Sequence, residues 1–570
     1  MCGCREGLGR GASSKGDQVN VSRVGRLGVA AAASLATIAA MLASTVAQAS
    51  ASSGGSSSPA VRHYTGTRGV ARLVPRHKPA AGASSAPGVV PRGVRRLPSG
   101  QFSAAEAVPG APAPASAAAA AAAGSALVNF NGVSSRDSQV TNFEQTFEPP
   151  DQGLCEGNGF VLEPVNSAYR IYRTTGTSLR GPFNINDLFN VGAKEFTSDP
   201  RCWFDPSTQT WFATILFLND SSTASSLLIA VRHNSDPRGL WNDYSIDTTD
   251  PSGNGCPCFG DQPRIGIDQT NLYVTADEFS ILGPQFNGAE MWAIDKSDLV
   301  NGVVSPHVVN FPNLTTDTTA PQPALSTGRP GAEYFLSSLD SSGTGDNRIG
   351  VWAMTNRDQV GLGGMPTLSR VLINSEAYAI PPPAPQKGAT SKLDSGDDRM
   401  QQTEFVGGTV WGELTTAVQP AGDSSVRAGG AWFQVKPTLG SAGIAGASIV
   451  RQGYIAAAGK YELYPAVQPD AAGNAAVVFT LTSSVRFPSA AYATLKGGSN
   501  FGPAVVAAAG AGPYNRAAAN APRWGDYSFA VPDGTSDSAW LATEYIPPKS
   551  SQTTTGIRNW GTRVIKVPLG

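Results

Sequence analysis

Asp261-Gln-Pro-Arg-Ile-Gly-Ile-Asp268, Leu272-Tyr-Val-Thr-Ala-Asp-Glu-Phe279 and Glu290-Met-Trp-Ala-Ile-Asp-Lys296 are three short segments separated by turns. Each is apolar in a run or in alternation, and at this length that predicts strands. The same order returns along the chain. Asp199–Asp205 leads to Trp211–Leu218 and Leu227–Arg232, and Pro321–Leu325 leads to Glu333–Leu336 and Ile349–Met354. Arg399–Gln402 leads to Thr409–Leu414 and Ala431–Val435, and Tyr464–Val467 leads to Ala475–Thr480 and Ala490–Leu495. Asp526–Phe529 leads to Ala539–Tyr545 and Thr562–Val567. The most divergent copy is Asp151–Cys155, then Phe160–Glu163 and Ala168–Tyr172.

A small sheet of this kind has two faces to bury and cannot bury both alone. Copies set radially pack sheet on sheet and leave only short, protected edges. The pattern predicts an all-β chain with a seven-bladed β-propeller over residues 126–570. Ala126-Leu-Val-Asn-Phe130 is a lone strand before the first copy, and the last copy ends soon after its third strand. The lone strand is expected to complete the last blade and close the ring. Six blades with an odd sheet, or two sandwiches, are the competing arrangements. A sandwich does not require one order to recur so often.

Upstream, residues 1–49 read as an export signal. Arg23 and Arg26 precede the apolar run Leu27–Val46, and Ala47-Gln48-Ala49 offers a small-x-small cleavage site. A retained membrane anchor is the competing reading. No later run is long and apolar enough to span a bilayer as a helix, so no membrane insertion is expected after cleavage. Residues 50–125 are rich in Ala, Ser, Pro and Gly with scattered arginines, and they read as a disordered linker. The chain of 570 residues carries 42 Lys and Arg against 43 Asp and Glu, so no basic field points to a nucleic-acid partner. A monomer that is secreted or held at the cell surface is expected.

The innermost strand of each blade lines the propeller axis. The repeat therefore gathers Asp151, Asp199, Asp261, Gln262, Gln322, Arg399, Tyr464, Asp526 and Tyr527 at one axial mouth, with Arg201, Arg264, Gln401 and Arg523 close by. Carboxylates and guanidiniums together orient polar, polyhydroxylated or anionic ligands. Each Asp has a plainer reading too, as a turn residue that satisfies backbone N–H groups. Asp199, Asp261, Asp526 and Tyr527 are the candidates for acid–base or nucleophilic work on a glycosidic bond. Glu278 and Glu544 end second strands and are candidates to reach the same place. No zinc spacing and no phosphate-binding glycine loop is present. Aspartates near one axis suit Ca²⁺, but no local calcium loop supports it, so no cofactor is expected.

Cys2 and Cys4 precede the signal. Cys155 and Cys202 fall at matched places on adjacent first strands, and a disulfide between them is expected. Cys256 and Cys258 then close a small ring. Cross-pairing between the two sets is the alternative.

Pro149–Asn158, Cys256–Pro263, Arg399–Gln402, Arg523–Ser528 and Asn559–Arg563 together resemble a family of secreted microbial propellers, largely uncharacterised and loosely sialidase-like. The resemblance covers the chain after Ala126 and implies export and the propeller fold. It brings no established reaction. The repeated Asp-box of sialidases, Ser-x-Asp-x-Gly-x-Thr-Trp, is approached only by Ser235–Trp241, with the wrong Ser–Asp spacing. No sialidase catalytic residue is carried over. The leading expectation is glycan or cell-surface polymer binding at the axial mouth. A glycan-cleaving hydrolase or lyase at the same mouth, and an extracellular protein-interaction scaffold, are the alternatives.

Overall fold

The computed structural model describes residues 60–75 and 125–570, apart from residues 146, 251–254, 284, 313, 315–316, 320, 340–343, 499, 516–522, 551–555 and 557. The expected signal, its cleavage site and most of the expected linker lie outside the described residues.

Among the described residues the strands follow one another as seven antiparallel meanders, each of four strands. The first is Cys155–Gly157, Phe160–Pro164, Ala168–Arg173 and Ser178–Asn184. The second is Phe196–Asp205, Thr210–Leu218, Ser225–His233 and Asn242–Asp247. The third to sixth repeat this order, with innermost strands Cys258–Ile267, Gln322–Leu325, Met400–Val406 and Tyr461–Pro469. The seventh takes Phe529–Pro532, Ser538–Tyr545 and Gly561–Pro568 from the C-terminal end and its outer strand, Val128–Ser134, from the N-terminal side. Each innermost strand packs beside the next, and the last packs beside the first. This cyclic order is a β-propeller.

The blades bury their faces against one another. Leu162, Ile171, Trp211 and Leu228 form the seam between the first two blades. Tyr334, Val351, Val410 and Phe433 form the fourth-to-fifth seam, and Ala476, Val478, Leu541 and Ile565 the sixth-to-seventh. The β-branched and aromatic content of these strands suits such half-sheets. Cys155 is joined to Cys202 with their Cα atoms 5.6 Å apart, which links the innermost strands of the first two blades. Cys256 is joined to Cys258.

One stretch departs from the expected linker. Arg62–Tyr64 pairs with the outer strand Thr367–Tyr378 of the fourth blade. Thr67–Val70 pairs with His307–Phe311 of the third, and Arg72–Leu73 with Asn242–Asp247 of the second. Residues 62–73 thus cross three successive blade edges. The composition argument missed this because an edge strand needs a backbone partner more than an apolar side chain. The few specific contacts are small ones. Tyr64 packs on Trp352 with ring centroids 4.9 Å apart, and Ala71 is buried. At Gly69 an added Cβ would lie 2.7 Å from Val308, so a larger residue would lift the strand off the edge.

The Cys155–Cys202 bridge closes a loop of 47 residues across a blade seam. Replacing both cysteines by alanine is expected to destabilise the fold by about 2–5 kcal/mol. Denaturant unfolding of the paired variant beside the unaltered chain checks this. An unchanged midpoint would mean that the bridge constrains nothing.

Candidate functional site

The innermost strands are irregular in a repeated way. Asp199, Gln262 and Tyr464 have left-handed backbone, with φ of 61°, 49° and 53°. Each is followed by a proline, and each coincides with a break in register against the second strand of its blade. These are β-bulges. A proline there forfeits no ladder hydrogen bond, because the bulged residue is already unpaired. The bulge re-aims the side chain next to it. Asp151, with φ of 46°, takes the same conformation just ahead of the first innermost strand.

Asp151, Asp199 and Asp526 meet as a result. One carboxylate oxygen from each lies within 4.8 Å of the others, and all three residues are buried. Asn166, in the turn after Phe160–Pro164, clamps two of them. Its Nδ2 donates to Asp151 Oδ2 at 2.6 Å, and its Oδ1 accepts from the Asp199 backbone N–H at 2.7 Å. The Asp526 backbone N–H donates to Asp151 Oδ1 at 2.7 Å. The Arg523 guanidinium pairs with the Asp526 carboxylate. Asp261 is buried beside this group and feels the charges of Asp199 and Asp526. Neither oxygen of Asp261 accepts a hydrogen bond, and Asp199 has its neighbour Ser198 as a side-chain donor.

The remaining expected residues take supporting places. Arg201 lies 3.6 Å from the centre of the Tyr527 ring and donates to the Gln401 carbonyl at 3.4 Å. Tyr527 donates its hydroxyl to the Pro200 carbonyl. Arg264 and Arg399 share Asp277, at 2.7 and 3.1 Å, and Arg399 also pairs with Asp397. Gln262 accepts from Arg399 at 3.0 Å. Gln322 and Gln401 are buried with side-chain oxygens that accept nothing. Tyr464 donates to the Asp394 carbonyl. Glu544 is buried and feels the Asp526 charge, whereas Glu278 bonds to Glu290 of its own blade. Asn166, Asp277 and Asp397 were not singled out in the sequence. Asp277 stands opposite Asp261 in the ladder, but the bulge hides that pairing from a regular alternation.

The electrostatics follow from burial. Burial, then the neighbouring charge of Asp526, pushes the Asp199 carboxyl up to about 7. Asp151 and Asp261 are raised well above the usual carboxylate range, first by burial and then by like charges. Burial alone would lower Arg523, but Asp526 and Asp151 outweigh it and raise it. Burial lowers Arg201 and raises Tyr527.

The sequence pattern places these residues at an open mouth, and the structure does not. Asp151, Asp199, Asp261 and Tyr527 are 0% exposed. Contacts across the axis close it. Arg201 of the second blade reaches Gln401 of the fifth, Arg399 reaches Gln262 of the third, and Gln402 reaches the Ala530 carbonyl of the seventh. Long polar side chains fill the narrow axis that short ones would leave open. The side chain of Arg523 is 17% exposed, and that of Asp397, the partner of Arg399, is 13% exposed. A cavity of about 200 Å³ opens elsewhere, at the far ends of the innermost strands, beside Trp203, Leu325, Glu404 and Gln468. Another, of about 470 Å³, lies outside the first-to-seventh seam and is lined by Asp137, Arg170, Tyr172 and Thr562 among others.

No model of a known protein family and no curated protein matches the chain. Several solved structures are similar to it at low identity. A Hadza microbial sialidase is 10% identical with a TM-score of 0.35, over 72% of this chain and 73% of that one. A Penicillium chrysogenum α-L-arabinanase complexed with arabinobiose is 10% identical with a TM-score of 0.34, over 78% of this chain and 98% of that one. Drosophila Plexin A in complex with Semaphorin 1b is 9% identical with a TM-score of 0.33, over 79% of this chain and 88% of that one. These likenesses carry no argument about chemistry. The fold rests on the strand pairing.

Glu163 lies at the first-to-seventh seam and bonds to three residues that line the larger cavity: Val133, Tyr172 and Thr562. Gly132 leaves it room, since a Cβ there would sit 2.4 Å from the carboxylate. Burial, partly offset by those three hydrogen bonds, pushes Glu163 from 4.5 up to about 7. A raised carboxyl favours the folded state while it is protonated. Its stabilisation is complete below about pH 4.5 and is lost as pH rises through about 7. Over that interval the loss is on the order of 3 kcal/mol. Thermal melts across pH 5–8 are expected to fall less steeply for Glu163→Gln than for the unaltered chain. Parallel curves would place the sensitivity elsewhere.

Proposed function

We propose that this chain is an exported propeller that binds a polyhydroxylated ligand, a glycan of a cell surface or wall, at the edge of the axial cluster. One observation carries the reading: Arg523, paired with Asp526, is a part-exposed member of an otherwise buried polar axis. Donors and acceptors held side by side by a rigid scaffold suit adjacent sugar hydroxyls. Export is supported by the charged, then apolar, N-terminal run and by two disulfides.

Cleavage is the less well supported reading, because Asp151, Asp199 and Asp261 are 0% exposed, whereas a glycosidase holds the sugar between its two carboxyls.

The test is a broad glycan panel read for binding and for reducing-end release together, using the mature chain. Binding without release is expected. Arg523→Ala is expected to weaken it roughly tenfold, consistent with loss of one charge-assisted contact. Arg523→Lys, with its melting temperature compared, separates lost contact from lost fold. Release of sugar would favour the enzyme, and a blank panel would favour a protein-interaction scaffold.

A further inference from the structure

We propose that Asp151, Asp199 and Asp526 are protein ligands of a single buried Ca²⁺ ion on the propeller axis. Three close acidic groups alone do not make a site, since exposed ones commonly occur without an ion. Here they are buried, and a second observation points to a cation. Asp261, outside the three, is 0% exposed, feels the charges of Asp199 and Asp526, and neither of its oxygens accepts a hydrogen bond. Asp199, one of the three, is equally buried and has only its neighbour Ser198 as a side-chain donor. An orphaned buried carboxylate is costly, and proteins leave such groups where a metal, a water or a proton completes them.

The donor set selects the cation. It holds carboxylate oxygens and neither His nor Cys, which suits a hard ion and not zinc. Oxygens on opposite sides of one Ca²⁺, each at 2.3–2.6 Å, stand about 5 Å apart, so three oxygens within 4.8 Å of one another can share one such ion. Protons on the same carboxylates are the competing explanation.

The three ligands come from the first, second and last blades. The ion would therefore tie together the place where the ring closes, next to the Cys155–Cys202 bridge. The inference does not rest on the glycan reading, because the ion is assayed with no sugar present.

The experiment uses the mature chain, dialysed against EGTA and titrated with CaCl₂ by calorimetry and by thermal melting, with metal content read by mass spectrometry. One Ca²⁺ per chain before chelation is expected. A melting temperature that falls in EGTA and climbs with the logarithm of added calcium is expected with it. Asp199→Asn is expected to weaken calcium binding on the order of tenfold or more. In EGTA the same variant is expected to melt no lower than the unaltered chain, because it removes an uncompensated charge. Asp261→Asn, outside the three ligands but beside them, is the second variant and is expected to keep one ion per chain while binding it more weakly. A chain purified without calcium, whose melting ignores both EGTA and CaCl₂, would overturn the proposal in favour of protons. A response to Mg²⁺ or Zn²⁺ with none to Ca²⁺ would overturn it too.

Discussion

Each blade of this protein has two apolar faces and no layer above or below to cover them, so the rest of the structure depends on the ring being closed. The faces are buried only against neighbouring blades, in separate apolar clusters. An open ring would expose the two faces at its gap. Closure is achieved by chain ends far apart in sequence. Val128–Ser134 adds to Gly561–Pro568 in an antiparallel pair, and a covalent link between Cys155 and Cys202 secures the neighbouring seam. Neither contact is local, so each costs loop-closure entropy that the seams must outweigh.

Closure also sets the electrostatics. Once the innermost strands are held side by side, their bulged residues must share one narrow axis. Arg201 stacks on Tyr527, Arg399 and Arg264 share Asp277, and Asn166 bridges Asp151 and Asp199. These pairings satisfy most of the buried polar groups there. They leave the oxygens of Asp261 without donors. A group of this kind is a poor place for sugar hydrolysis, since water and substrate are both excluded. It is a good place for a small cation. The margin beside Arg523 is where a larger ligand has access.

The blade edges follow a different logic. Outer strands present unpaired backbone groups, which invite unwanted pairing unless they are covered. Residues 62–73 cover three of them in succession. A stretch of Gly, Thr, Val and Arg is adequate for that task, because the bonds are made by main chain. Low complexity therefore does not imply lack of structure when a sheet edge is within reach.

The blade pattern was legible in the sequence because strand period and turn chemistry are local. Asp261–Asp268 and its copies mark innermost strands without any knowledge of their neighbours, and the matched positions of Cys155 and Cys202 already implied adjacency. The convergence of Asp151, Asp199 and Asp526 was legible for the same reason: equal positions in a radial repeat meet at the axis. What the sequence could not reveal was how the axis is filled. Whether Arg201 points outward or across to the fifth blade depends on bulge geometry, and a bulge shifts register without changing composition. The expected open mouth was thus a closed polar core. Sequence by itself determined the repeat and the set of axial residues from which the meeting carboxylates come, because these depend on spacing along one chain. Only the tertiary structure decided the cysteine pairing, which carboxylates meet and that they are buried, because these depend on what six other blades bring to the same few ångströms.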